Sequence, residues 1–264
     1  EGESRLADLL KAEQIEMSWR TGFALINHYV ANNQWQKAVE TGKKYTKKYP
    51  SNYYIGLKYA KALCETGQYQ PCISLLSRMQ VLPNEGSYAG RAVYREANLY
   101  RAMEQLSHKN YKQVVKSVET SKEWPENLGV GKPYDNMIDN RLEDYLEAKA
   151  AAGQGDSRKT SALLAAVADY TISRSHFESG NLLSALALRE SGKVQEADHM
   201  VAAWSTDFPE NRVVQWCTAI YRGEKEKAVG MLQSRNDQTN TTPWEASFRD
   251  SNFDLIVRLF STEQ

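Results

Sequence analysis

Four deficits bound this sequence before any motif is read. No apolar run approaches the roughly 20 residues that a membrane-crossing helix needs, so no membrane insertion is expected. Neither charge is in excess, with 33 basic against 33 acidic side chains. A phosphate backbone calls for a basic stripe, so no nucleic-acid partner is expected. The three cysteines, Cys64, Cys72 and Cys217, are too few and odd in number for a disulfide framework. Cys64 and Cys72 fall in one expected helix pair, where small buried apolar side chains are the ordinary reading. Finally, neither an initiator Met nor a basic-then-apolar leader precedes Glu1-Gly2-Glu3-Ser4. The expectation is a chain whose signal was removed or a piece of a longer protein, which leaves both a cytoplasmic and an exported bacterial location open.

Chemistry-bearing patterns are scarce too. His28, His108, His176 and His199 stand alone, without a second ligand at metal spacing, and helix-surface positions are expected for them. Gly129-Val130-Gly131-Lys132 fails as a phosphate loop. Glu126 occupies the first glycine's place, Pro133 follows the lysine, and no strand precedes. No nucleophile elbow is present, and Glu143-Asp144 reads as a solvated helix face. Asn240-Thr241-Thr242 matches a glycosylation sequon but reads as a polar loop. No catalytic residue, metal or cofactor is expected.

What the chain has instead is a period. Gln34-Trp35-Gln36-Lys37-Ala38-Val39 leads to Tyr49-Pro50-Ser51-Asn52, and Lys193-Val194-Gln195-Glu196-Ala197-Asp198 leads to Phe208-Pro209-Glu210-Asn211. In both, an alanine precedes the proline by twelve positions. Tyr69 and Cys72, then Tyr111 and Val114, repeat the Trp35 and Ala38 positions, the first of them 34 residues on (72 − 38). The small residue allows two helices to cross at roughly 8–10 Å. The proline stops the second helix, and the Asn beyond it suits a new start.

Trp19, Gly22, Leu25, Ile26 and Tyr29 recur at three- and four-residue steps, one face of a helix. Leu57, Ala60 and Leu63-Cys64 do the same, as do Leu182, Ala185-Leu186 and Leu188. Asn32-Asn33, Thr66-Gly67, Lys109-Asn110, Gly153-Gln154-Gly155-Asp156, Ser191-Gly192 and Gly223-Glu224 supply turns between helices. The spacing predicts a leading helix over 4–16 and pairs over about 18–49, 53–82, 88–123, 138–174, 178–208 and 212–235. A closing segment, 239–264, carries a capping helix over Asp254–Phe260. Trp124 to Tyr134 breaks the period as an insertion, about 125–137, that leaves the helical stack. Its Gly129 and Gly131 permit unusual backbone angles.

This pattern resembles the tetratricopeptide repeat. The unit Trp19 to Pro50 carries most of it, although Ile26 stands where a small residue is usual and Gly42 where an aromatic is. Glu178 to Pro209 carries the closing half. The resemblance implies an all-α, right-handed α-solenoid of about six helix-turn-helix repeats, forming one superhelical domain over 1–264 with a C-terminal cap. It also implies that first helices line a concave groove. Projected here, the groove takes Arg20, Phe23 and Asn27, then Tyr54, Leu57 and Lys61, then Leu99 and Met103, then Tyr145 and Lys149. Such a mixture of aromatic, amide and cationic groups suits an extended peptide or acidic segment. Phe23, Leu57, Leu99 and Met103 read equally well as core. The family's carboxylate clamp is incomplete, because Phe23 rather than a lysine precedes Asn27 by one turn.

The wording from Trp124 to Tyr134, with Arg141-Leu142-Glu143-Asp144-Tyr145-Leu146 and Gly153, is also similar to the C-terminal helical part of large bacterial multidomain proteins. Those carry an N-terminal β-sandwich region of unknown function with ties to carbohydrate. The expected function is a non-catalytic scaffold for a protein or peptide partner. The alternative is a structural arm packed on further domains of its own full-length chain, and an enzyme ranks last.

Overall fold

The structure is a computed structural model that describes residues 2–83, 88–172, 177–235, 250 and 252–262. The described residues form fourteen α-helices and no strand. α1 (Gly2–Ile15) leads. Pairs follow as α2 (Trp19–Ala31) with α3 (Trp35–Lys48), α4 (Tyr53–Glu65) with α5 (Tyr69–Leu76), and α6 (Ala89–Ser107) with α7 (Tyr111–Ser121). The later pairs are α8 (Arg141–Gly153) with α9 (Ser157–Ile172), α10 (Gly180–Glu190) with α11 (Val194–Asp207), and α12 (Arg212–Tyr221) with α13 (Lys225–Arg235). α14 (Phe253–Thr262) ends the described chain. His176 and the sequon at 240–242 lie outside the described residues.

One turn joins the helices of every pair. Asn33, Gly67, Lys109, Gly155, Gly192 and Gly223 each take the left-handed conformation, with φ between 54° and 83°. The N–H after each one reaches back five residues at 2.8–3.0 Å: Gln34 to Tyr29, Gln68 to Leu63, Asn110 to Gln105, Asp156 to Ala151, Lys193 to Leu188 and Glu224 to Ala219. The left-handed residue itself bonds three back, as Gly67 does to Cys64. Together these bonds are the Schellman closure, which satisfies the last carbonyls of the first helix while reversing the chain.

The proline tetrads set the other boundary. α3 ends before Tyr49-Pro50, α11 before Phe208-Pro209, and both pre-proline residues are pushed out of the helical region (φ −127° and −132°). Asn52 then accepts the Ile55 N–H at 3.2 Å. Asn211 accepts those of Val213 and Val214 at 2.9 and 3.2 Å, so each starts the next helix as its N-cap.

The chain divides into two compact units, Glu1–Arg101 with Thr120–Asp135, and Ala102–Glu119 with Asn136–Gln264. In the first, α2 contacts both α3 and α4, and α4 contacts α5. Ala38 is fully buried, as the repeat register requires. Glycines recur at a spacing of 34 (22, 56, 90), and the first two leave no room for a side chain. A Cβ on Gly22 would meet the Tyr45 ring at 2.2 Å, and one on Gly56 the Met79 methyl at 2.5 Å. At Gly90 the neighbour is Leu128, from the insertion. Gly42, where an aromatic is usual, makes room for the Tyr59 ring at 2.5 Å.

The insertion leaves helical geometry as expected, in two short 3-10 turns, Glu126–Leu128 and Asp135–Met137. Trp124-Pro125-Glu126-Asn127 is a third proline tetrad, but its Asn turns backward. The Asn127 amide donates to the Leu76 and Met79 carbonyls at 2.9 and 2.8 Å. Its own carbonyl accepts from the Val81 N–H at 2.9 Å. The tetrad thereby closes the short α5, which has only eight residues, and Leu128 is fully buried. Only one of the two expected special glycines is special. Gly129 has φ 75° with the Val81 carbonyl 2.8 Å from a would-be Cβ, while Gly131 has open space and no left-handed angle.

In the second unit α8 is covered by α9 and α10, and α10 by α11 and α12. Ala197 is fully buried. Covering α8 on two sides overturns one expectation: Glu143 is 1% exposed and not on a solvated face. Beside it the buried Glu147 meets Lys159 Nζ at 2.8 Å. Arg141, 2% exposed, lies over the Tyr170 ring and donates to Asp139, Glu178 and Asn181 at 2.7–3.0 Å. Asn252, at the head of α14, donates to the same Asp139 at 3.1 Å.

Candidate functional site

In the first unit the projected groove residues form a patch where α2 meets α4, and it is more aromatic and less cationic than the sequence suggests. Trp19 stacks on Tyr54 with ring centroids 6.1 Å apart, and Phe23 meets Tyr54 edge-on at 6.4 Å. Tyr53 also stacks on Tyr54, at 4.3 Å. Its hydrogen bond with Tyr54 raises the Tyr53 phenol above the ordinary tyrosine range. Tyr54 is 48% exposed although three rings surround it. Rings fixed by one another present contact area that costs little side-chain entropy on binding.

Two cations sit on these rings. The Arg20 guanidinium lies 4.6 Å from the Trp19 ring centroid and Lys58 Nζ 5.8 Å from that of Phe23. Lys58 was not among the projected residues, although it stands four positions after Tyr54 and shares its face. Asn27 is half-buried two turns beyond Arg20.

Lys61 serves another purpose. Its Nζ lies 2.6 Å from Glu65 and 2.6 Å from Glu96. Burial works against its charge, but Glu96 and then Glu65 outweigh it and hold the ammonium above the ordinary lysine range. Two carboxylates already neutralise it, so Lys61 gives no attraction to an acidic partner. Leu57 is half-buried beside Leu128, at Gly90, so at that point the insertion fills the face that a ligand would need.

Three of the remaining projected residues are packed. Leu99 and Met103 are core, 0% and 2% exposed. Tyr145, in the second unit, is 3% exposed, and its hydroxyl donates to Glu190 at 2.7 Å. Lys149 pairs with the same carboxylate at 2.6 Å. Tyr145 is covered because α8 has neighbours on two sides, while Lys149 keeps 31% of its side chain exposed with its charge spent on Glu190.

The other sequence features are structural. Cys64 and Cys72 are both buried and reduced. A hydrogen bond with Cys72, and then burial, push the Cys64 thiol far above the range in which it ionises, so it is unsuited to nucleophilic work. Lys132 pairs with Asp135 at 2.6 Å in the insertion. Among the described residues no three His, Cys, Asp or Glu side chains converge as a metal site. No described helix is long and apolar enough to cross a membrane. The ring cluster on α2 and α4 is thus the candidate site, a surface that can bind but brings no acid, base or nucleophile together. No family model, curated protein or solved structure matches the chain.

Proposed function

We propose that this chain is a binding scaffold, a right-handed α-solenoid of about six tetratricopeptide-like hairpins closed by a capping helix, whose α2–α4 face takes an extended, acidic protein segment. Six identical turns and three aromatic-Pro-X-Asn tetrads support the repeat reading. The observation that carries the binding reading is the exposed Tyr54 ring held among Trp19, Phe23 and Tyr53, with Arg20 and Lys58 alongside. Aromatic and Arg side chains dominate binding hot spots, because they bury much area with few torsions to freeze. The partner's apolar side chain lies on Tyr54, and its carboxylates meet Arg20 and Lys58.

The test begins with peptides selected from a random library on the folded chain. Their affinities are then measured by fluorescence anisotropy against Tyr54→Ala and against Arg20→Ala with Lys58→Ala. Loss of about tenfold or more in each, with unchanged melting temperature, supports the reading. Equal affinity for all three proteins refutes it.

A further inference from the structure

Two thiols meet inside the first unit. Cys64 lies near the end of α4 and Cys72 at the head of α5. They are 1% and 0% exposed, and their side chains are hydrogen-bonded to each other. One repeat earlier the same places hold Val30 and Ala38. Ala38 is a crossing residue, so Cys72 stands where two antiparallel helices come closest. Helices that cross at roughly 8–10 Å, each with its Cα atoms about 2.3 Å from the axis, bring facing Cα atoms to about 3.5–5.5 Å. A disulfide bridges Cα atoms about 4.4–6.8 Å apart. The pair therefore sits where a covalent bridge fits without moving the backbone far.

The helix that Cys72 opens is also the one that most needs a tie. α5 is the shortest described α-helix, at eight residues, and so short a helix is not stable by itself. Asn127 holds its far end through the Leu76 and Met79 carbonyls. Its near end has the Gly67 turn and the thiol pair.

We infer that Cys64 and Cys72 form a modification site, joined as a disulfide when the chain folds under oxidising conditions, and that the bond ties the head of α5 to α4. The oxidant is a small-molecule disulfide. One cysteine thiolate attacks it and displaces one of its halves as a thiol. The second cysteine then attacks the mixed disulfide and displaces the other half. Two cysteine thiols become one S–S bond, one disulfide becomes two thiols, and the two protons pass to the released sulfurs. The bond forms while the hairpin closes. In the finished unit both thiols are shielded from solvent, and the Cys64 thiol is held far above the range in which it ionises, so exchange is slow. Cys217, buried in the second unit, keeps its thiol. The bond does not depend on what the α2–α4 face binds.

The experiment refolds the whole chain from guanidinium in a mixture of reduced and oxidised glutathione, and in parallel in excess dithiothreitol. Free thiols are then alkylated in denaturant and the chain is cut with trypsin. No Lys or Arg lies between Cys64 and Cys72, so both fall in the peptide Ala62–Arg78, while Cys217 falls in Val213–Arg222. The expected result from glutathione is an Ala62–Arg78 peptide lighter by two hydrogens and without alkyl groups, beside an alkylated Cys217. That protein melts higher than the one refolded in dithiothreitol, because the bond restrains the unfolded chain. Cys72→Ala, which places at this crossing the residue that Ala38 and Ala197 supply at theirs, melts at one temperature from both refolding buffers. The folded, reduced parent placed in the same glutathione mixture oxidises far more slowly than the refolding chain. The inference is overturned if Ala62–Arg78 carries two alkyl groups after refolding in glutathione, or if either cysteine is joined to Cys217. It is equally overturned if the oxidised protein melts at or below the reduced one, or if the folded chain oxidises as fast as the refolding one.

Discussion

Replacing Asn127 with alanine should loosen the insertion from α5 at a cost that can be worked from its bonds. The side chain gives two N–H donors to the carbonyls of Leu76 and Met79, at 2.9 and 2.8 Å. Each neutral bond contributes about 0.5–1.5 kcal/mol net. The site is only partly buried, so water replaces part of what is lost. A total near 2 kcal/mol follows, because two bonds go and neither carbonyl is left wholly dry. The first unit has 117 residues, between the sizes at which each kcal/mol moves the midpoint by roughly 4–8 °C and 2–4 °C, so Asn127→Ala should melt on the order of 8 °C below the parent. Gly131→Ala is the control in the same segment. It has no atom within 4 Å of the added carbon and no left-handed angle, and should stay within about 0.5 kcal/mol. Calorimetry of the three proteins decides the matter. If Asn127→Ala melts with the parent, or Gly131→Ala loses as much, the tetrad does not anchor the insertion.

Gly22→Ala and Gly230→Ala should have opposite signs in thermal melts. Both gain about 1 kcal/mol of helix propensity, but the new methyl at Gly22 meets the Tyr45 ring at 2.2 Å while the one at Gly230 meets nothing. Because Tyr45 is fully buried with its hydroxyl on Glu13 at 2.9 Å, it cannot swing away, and a net loss is expected at Gly22. Ala38→Leu and Ala197→Leu each overpack a fully buried crossing and should cost about 1–3 kcal/mol in chemical denaturation; parent-like curves for both would show the register to be wrong. Stability should also fall at alkaline pH. Burial, and then a hydrogen bond to Asp198, push the Tyr221 phenol from 10.0 up to about 12, so its contribution is intact below pH 10 and disappears between pH 10 and 12. Tyr45 and Tyr94 are raised in the same sense by burial and by hydrogen bonds to Glu13 and Glu123. Urea midpoints across that range, with Tyr221→Phe flatter than the parent, check the sign.

The fold was legible because its signals are local. A glycine or asparagine after an apolar stripe, and an aromatic-Pro-X-Asn tetrad after a small residue, fix where helices end within a residue or two. α2, α3 and α14 lie where the period puts them. The site was only half legible. Arg20, Phe23 and Tyr54 are brought together because helix geometry places them on adjoining faces. The pairing of Lys61 was not legible, because its partner Glu96 is 35 residues away, a distance over which sequence reasoning sees no pairing. The burial of Tyr145 and Glu143 was hidden for a related reason. A polar residue on an amphipathic stripe looks exposed until a second covering helix is counted. Two signals were in plain view. The 34-residue spacing of Gly22 and Gly56 marks close approaches, and Trp124-Pro125-Glu126-Asn127 is a third tetrad hidden inside what reads as an interruption.

Arg141 has a consequence for how the chain is made. Its partners are strung far apart: Asp139 just before it, Glu178 and Asn181 nearly forty residues later. Asn252, which ties down Asp139, comes 113 residues after that carboxylate. At the pace of translation, about 5–20 residues per second, Glu178 follows Arg141 by about 2–7 s. Asn252 follows Asp139 by about 6–23 s at the same pace. Until α9 and then α10 emerge, α8 lacks the helices that cover it. The charge that becomes a buried knot in the finished unit is therefore a hydrated group on a half-built face until those two helices are in place.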